Sequence, residues 1–170
     1  DTTFQNDKDQ DIRAAIFEEC TITLTDNTFQ NLHYTDLGGA IDILNSQVTI
    51  TGGTFKNNTA PKGGAIAFRC EEGKTCAYNV SGVTFIENSA TTDGGAMYYD
   101  FFKPKTSGNT YTNNSAPYGP ELAGYPVKIE AETIPTQTYV SGQPITDQIQ
   151  YKLVDHDGLT IATDSDSVIT

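Results

Sequence analysis

Along the first two thirds of the chain, apolar residues fall in short alternating runs rather than helical stripes. Ile22 and Leu24, Val48 and Ile50, and Tyr78 and Val80 each bracket one polar residue. Such alternation predicts a strand with one face buried. Thr25, Thr51 and Ser81 follow these runs, and each stands four residues before an aromatic, as does Ser107. The aromatics come in Thr-led pairs: Thr3-Phe4, Thr28-Phe29, Thr54-Phe55, Thr84-Phe85 and Thr110-Tyr111. Their steps are even except for a longer third one, from Phe55 to Phe85. A period of about 25 residues marks a stacked repeat.

Each period opens on small residues and an apolar marker: Ala14-Ala15-Ile16, Gly38-Gly39-Ala40-Ile41, Gly63-Gly64-Ala65-Ile66 and Gly94-Gly95-Ala96-Met97. Ile16, Ile41 and Ile66 are evenly spaced, and Met97 follows after a longer step. Asn closes each period, at Asn6, Asn31, Asn57-Asn58, Asn88 and Asn113-Asn114. Short strands broken by Gly, Asn and Asp predict an all-β chain. About 25 residues suits one coil of a parallel β-helix, with equivalent residues stacked at the ordinary strand spacing of about 4.8 Å. Residues 1–120 are therefore expected to form about five coils, with a buried aromatic stack and an Asn ladder.

Between Cys70 and Cys76 lie five residues, Glu71 to Thr75, which account for the long third step. A loop of that size is easily closed by a disulfide. With no His or further Cys nearby, a Cys70–Cys76 bridge is expected over a redox or metal pair. Cys20, two coils away, is expected to be a buried free thiol.

After Asn114 the pattern changes. Ala116-Pro117-Tyr118-Gly119-Pro120 replaces the next small-residue marker, and prolines and glycines end the stacking. Residues 121–170 read as a partial antiparallel β-sandwich of immunoglobulin-like type. Its strands are Val127-Lys128-Ile129, Gln148 to Val154 and Leu159 to Thr163, with a tight turn at Asp155-His156-Asp157-Gly158. Asp155, Asp157, Asp164 and Asp166 lack the third ligand position and distal Glu of an EF-hand loop, so solvated carboxylates are expected there.

The net charge is -12, with 22 acidic against 10 basic residues, which argues against nucleic-acid binding. No apolar run approaches the length of a membrane-spanning helix. Sequons at Asn57, Asn79 and Asn113 make these the candidate N-glycosylation sites. Asn57 and Asn113 both lie two residues after the aromatic; if the next Asn points into the ladder, these point outward. Sequons and a closed Cys loop suit an extracellular or cell-surface setting. The chain starts at Asp1, inside a repeat motif, and is expected to be a mature or excised piece.

The combination Gly-Gly-Ala-Ile with Phe-x-x-Asn resembles the repeat of chlamydial polymorphic membrane proteins. Gly38 to Ile41 and Gly63 to Ile66 match the first element, and Gly94 to Met97 nearly does. Phe55 to Asn58 and Phe85 to Asn88 match the second, Tyr111 to Asn114 matches with Tyr for Phe, and Phe29 to Asn31 is one residue short. That resemblance implies a right-handed β-helix used in adhesion. Asn113 to Gly119, Gly124 to Val127 and the segment from Val140 to Ser165 are similar to very large ciliate surface proteins. This second resemblance implies a large glycosylated protein of an extracellular or ciliary surface.

Three functions follow. The first is a non-enzymatic component of a filament, stalk or coat. Its partners would be further domains of the same large protein or other subunits, including copies of itself joined end to end or by strand addition, and it would carry N-linked glycans. The second is an adhesin or glycan-binding module, with Tyr98 as the outward aromatic if Met97, Tyr99 and Phe101 face the core. The third is a polysaccharide lyase or hydrolase, which needs carboxylates on neighbouring coils. The rows Glu19, Leu44, Arg69, Asp100 and Phe17, Asp42, Ala67, Tyr98 bring none together. His33 and His156 fall in different units. No catalytic residue, cofactor or metal site is expected.

Overall fold

The computed structural model describes residues 2–6, 10–133, 136, 138, 140–142 and 150–163. Two compact units divide the chain, Asp1–Tyr125 and Pro126–Thr170. The first is a parallel β-solenoid of about five coils. One side stacks Thr3–Gln5, Thr28–Gln30, Thr54–Lys56, Thr84–Ile86 and Thr110–Thr112 in a five-stranded sheet. A second stacks Ala15–Glu18, Ile41–Leu44, Ile66–Arg69, Met97–Tyr99 and Leu122–Ala123. A third stacks Thr21–Thr25, Gln47–Thr51, Ala77–Ser81 and Lys105–Ser107, and a short fourth side pairs Thr59–Lys62 with Ser89–Asp93.

The coils turn at single residues in the left-handed region, and these residues stack in rows. Gly38, Gly63, Gly94 and Gly119 form one row, with φ of 66°, 65°, 71° and 58°. Glu19, Asn45 and Phe101 form another, Asp26, Gly52, Gly82 and Gly108 a third, and Asn31, Asn57, Glu87 and Asn113 the fourth. Glycine is demanded beyond the backbone angle at the second position of each pair. A Cβ on Gly39 would strike the carbonyl oxygens of Gly64 and Thr59, and one on Gly64 those of Gly95 and Ser89.

The core is a set of vertical ladders. Phe4, Phe29, Phe55, Phe85 and Tyr111 stack with ring centroids 4.8, 4.7, 5.3 and 5.4 Å apart and planes within 19°. Ile41, Ile66 and Met97 stack beside them, as do Ile43, Phe68 and Tyr99. Burial contributes roughly 2 kcal/mol per large side chain, and each stacked aromatic pair about 1 kcal/mol more. In the Asn ladder, Asn58 Nδ2 donates to Asn88 Oδ1 and Asn88 Nδ2 to Asn114 Oδ1, both at 2.9 Å. The same amides reach down to the Phe29, Phe55 and Phe85 carbonyls, and each Oδ1 accepts the backbone N–H one coil below. Every donor and acceptor of a fully buried amide is thereby used, as burial requires. Asn31 is not a rung of this ladder: it sits on the outer corner row, and Leu32 takes the inner place.

The first coil corrects the marker spacing. Ala15, not Ile16, pairs with Ile41, and Ile16 pairs with Asp42 and is 57% exposed. Phe17 instead joins the core beneath Ile43. The regular coil is the one that carries Thr28 onto Thr54. The step from Ile41 to Ile66 is one residue shorter, because Leu37 already pairs with Lys62, so counting back from it misplaces the marker by one. The long marker step from Ile66 to Met97 has two sources, and only the first of them also lengthens the step from Phe55 to Phe85. Leu44 to Gln47 spans three residues where Arg69 to Ala77 spans eight, and a bulge before Asp93 adds one more.

The coil stack also continues past residue 120. Gly119-Pro120-Glu121-Leu122 stands opposite Gly94-Gly95-Ala96-Met97, and Leu122 pairs with Met97. At this level Gly95 donates its N–H to the coil above, and Pro120 has none to leave unpaired at the last coil. Among its described residues the second unit holds one antiparallel strand pair, Lys128–Thr133 with Gln150–Val154. The expected strand Leu159 to Thr163 is represented among the described residues by the bridge Val154–Thr160 and by hydrogen bonds from Ile161 N–H to the Leu153 carbonyl and from Asp155 N–H to the Leu159 carbonyl, and an immunoglobulin-like sandwich is not established by them.

The two Asn rows predict opposite mutational signs. Asn88→Ala orphans buried partners on both sides and should lower unfolding stability by about 3 kcal/mol in urea titration. Glu87→Asn relieves a left-handed corner and should raise stability by up to about 1 kcal/mol.

Candidate functional site

Functional chemistry must lie on the outer faces, because the ladders consume the inward positions. Asn57 and Asn113 sit exposed on the fourth corner row, while Asn58 and Asn114 turn inward. Asn57 Nδ2 donates to Asn31 Oδ1 at 2.9 Å. Asn79 is exposed at the centre of Ala77–Ser81, between Thr49 and Lys105 in register.

Cys70 and Cys76 form a disulfide, with Cα atoms 6.2 Å apart. Its loop replaces the second corner in the third coil and folds down over its neighbours. Asn45 and Glu71 exchange two hydrogen bonds of 2.9 Å, and Lys74 Nζ lies 2.5 Å from Glu19 Oε1, two coils below. The Lys74 hydrogen bond holds Glu19 below the usual carboxylate range. Cys20 is a free thiol, half-buried rather than buried, with Sγ 3.7 Å from Ser46 Oγ.

The marker sheet carries the densest charge cluster. Asp42 is buried and receives both arginines of the chain. Arg13 Nη1 and Arg69 Nη2 each lie 2.6 Å from Asp42 Oδ2, and Arg69 Nε donates to Oδ1 at 2.9 Å. The Arg13 guanidinium lies 3.6 Å over the Tyr34 ring. One carboxylate thus ties coils one, two and three. Asp100 accepts the Cys70 N–H at 2.6 Å, and burial raises its carboxyl above the ordinary Asp value. In the first coil Glu18 and Ile16, rather than Glu19 and Phe17, stand in register with Leu44 and Asp42, and neither row places two carboxylates on adjacent coils.

Two aromatic expectations exchange roles. Tyr98 is buried rather than solvent-facing, with the Lys62 ammonium 5.0 Å over its ring, and burial raises its hydroxyl pKa. Phe101 leaves the core, because the chain turns there in the left-handed region at φ 51°. It stacks on Tyr125 at 5.4 Å. Alternation counting missed this, since it assumes the strand continues past Tyr99.

His33 shares a 2.6 Å hydrogen bond with Thr59, and His156 belongs to the other unit. Asp155 is buried, and its Oδ1 accepts the N–H groups of Asp157 and Leu159, so it closes its own turn. Asp164 and Asp166 lie outside the described residues. Among the described residues, no cluster of three or more His, Cys, Asp or Glu side chains could hold a metal ion. No helix among them is long and apolar enough to cross a membrane.

Two segments match the Chlamydia polymorphic membrane protein repeat, residues 52–69 and 82–96. Neither a curated protein nor a solved structure matches the chain. The two segments are equivalent stretches of adjacent coils, running from the third corner through the aromatic strand and the Asn rung, and the first continues through the marker strand. The chain is thus similar to the polymorphic membrane protein repeat where its ladders are most regular. The first coil, with Ala14-Ala15 in place of the glycines, lies outside the match.

Two outcomes follow for the charged cluster. Asp42→Ala leaves the Arg13 and Arg69 charges without their partner and should cost about 3–5 kcal/mol in urea titration. Asp100 is protonated more readily folded than unfolded, so its ionisation opposes folding as pH rises through the folded pKa. Asp100→Asn keeps an acceptor for the Cys70 N–H. It should raise stability near neutral pH, and the gain should vanish below the ordinary Asp range.

Proposed function

We propose that this protein is a non-enzymatic structural component of an extracellular or cell surface, in which the coil stack serves as the rigid body of a stalk, coat or filament. The observation that carries this reading is the use of the side chains. Inward positions form coil-to-coil ladders, and both arginines close on Asp42 to bind three coils together. The match to the polymorphic membrane protein repeat falls on those same coils and supports a surface role of structural or adhesive kind.

In this reading Asn57, Asn79 and Asn113 carry N-linked glycans. Asn57 and Asn113 project from one corner row two coils apart, about 10 Å along the axis. A net charge of -12 keeps such a surface hydrated and self-repelling. On the resemblance of the segments from Asn113 to Val127 and from Val140 to Ser165 to ciliate surface proteins, that surface would be ciliary. End-to-end addition of coils, or strand addition to the pair Lys128–Thr133 and Gln150–Val154, would build the assembly. Exposed Ile129 and Tyr151 on that pair favour a covering sheet, and hence an immunoglobulin-like sandwich. A second reading, adhesion, is favoured by the exposed aromatics around Phe101.

Secretion of the chain from a eukaryotic host tests the surface reading. The product should exceed its polypeptide mass of 18.4 kDa by glycan steps that an N-glycosidase removes. Asn57→Gln and Asn113→Gln should each delete one step. A bare polypeptide would remove the glycoprotein claim. Release of reducing or unsaturated ends from a polysaccharide panel by the purified chain would remove the non-enzymatic one.

A further inference from the structure

The second corner row is occupied by Glu19 and Asn45 in the first two coils and by the disulfide loop in the third. In the fourth coil it holds Phe101, with φ 51°. A bulky side chain is disfavoured in the left-handed region, where Gly, Asn and Asp are the usual occupants. Its ring is also 51% exposed, so it adds little to the core. It stacks on Tyr125, 42% exposed, with ring planes 15° apart, and Phe102 beside it is 46% exposed. An outlier that costs backbone energy and leaves its ring in water points to a role outside folding.

The size of the cluster limits what can cover it. Three aromatics, each about half exposed, offer about 300 Å² in all. A stable protein interface needs about 800 Å² from each partner. The cluster is too small for that and suits a ligand the size of one to three sugar rings. Sugar C–H groups carry partial positive charge and pack on the negative face of an aromatic ring. The net charge of -12 repels polyanions and leaves neutral sugars unaffected.

We propose that Phe101 and Tyr125, flanked by Phe102, form a platform that binds a neutral polysaccharide by stacking against its sugar rings. The site gives the surface role a ligand class and does not depend on whether the coils polymerise. A platform this small binds weakly alone, and repeated display along a surface would raise its avidity.

Native affinity electrophoresis of the full chain tests this, in gels containing laminarin, hydroxyethyl cellulose, yeast mannan or heparin. At least one neutral polysaccharide should retard the protein, with little effect of salt, and heparin should not. Phe101→Asn removes the ring and places at the corner the residue that Asn45 already supplies in the second coil. It should weaken retardation about tenfold, equivalent to one lost stacking contact. Its thermal midpoint should equal or exceed that of the parent chain. Any of four results would overturn the proposal: no retardation by the three neutral polymers, retardation by heparin alone, unchanged retardation of the variant, or a lowered midpoint. The last would show that the ring serves the fold.

Discussion

Each strand residue of a coil sits directly above and below its equivalents, about 4.8 Å away, and this spacing governs the molecule. A side chain must therefore be compatible with copies of itself. Flat rings meet the condition by stacking, as Phe29, Phe55 and Phe85 do. Carboxamides meet it because each is both donor and acceptor, so Asn58, Asn88 and Asn114 form a continuous chain. Charged groups fail it, because like charges one coil apart would repel. Acids and bases accordingly alternate along the marker sheet, with Arg69 between Asp42 and Asp100 on neighbouring coils.

The corners obey the same constraint in the backbone. A row of left-handed residues is needed wherever the coil turns, and Gly, Asn or Asp supplies most of them. Glu19, Glu87 and Phe101 depart from this at an energetic cost. Glu87 interrupts the row that holds the two corner sequons, and Phe101 carries the aromatic platform. Rules broken at a repeat position are where selection for something other than stacking can be read.

The first coil is held differently from the rest. It lacks the glycine pair, and its Phe4 is partly exposed. Long-range ties take the place of regular packing. Arg13 reaches Asp42, and Lys74 at the tip of the disulfide loop reaches Glu19 across 55 residues. The exposed Lys74–Glu19 pair is screened by water and is worth little alone. The buried Asp42 cluster is the stronger tie, because either partner left single would be an uncompensated charge in a poorly hydrated place.

Sequence alone determined the repeat, the aromatic stack, the inward Asn rungs from Asn58 onward and the loop at Cys70 and Cys76. These were legible because stacking forces the same residue type to recur at one spacing. It also separated outward Asn57 and Asn113 from their inward neighbours, since a ladder that takes up the second Asn of each pair leaves the first, at the corner, to point outward. Sequence could not set the first-coil register: one residue is missing between Leu37 and Lys62 relative to its neighbours, and counting cannot say on which side of the coil. Nor could it show that Arg13 and Arg69 meet at Asp42, or that Phe101 turns out while Tyr98 is covered. Those outcomes depend on corners, loops and side chains converging across coils, 27 and 29 residues apart in the case of Asp42. Only the folded stack brings them together.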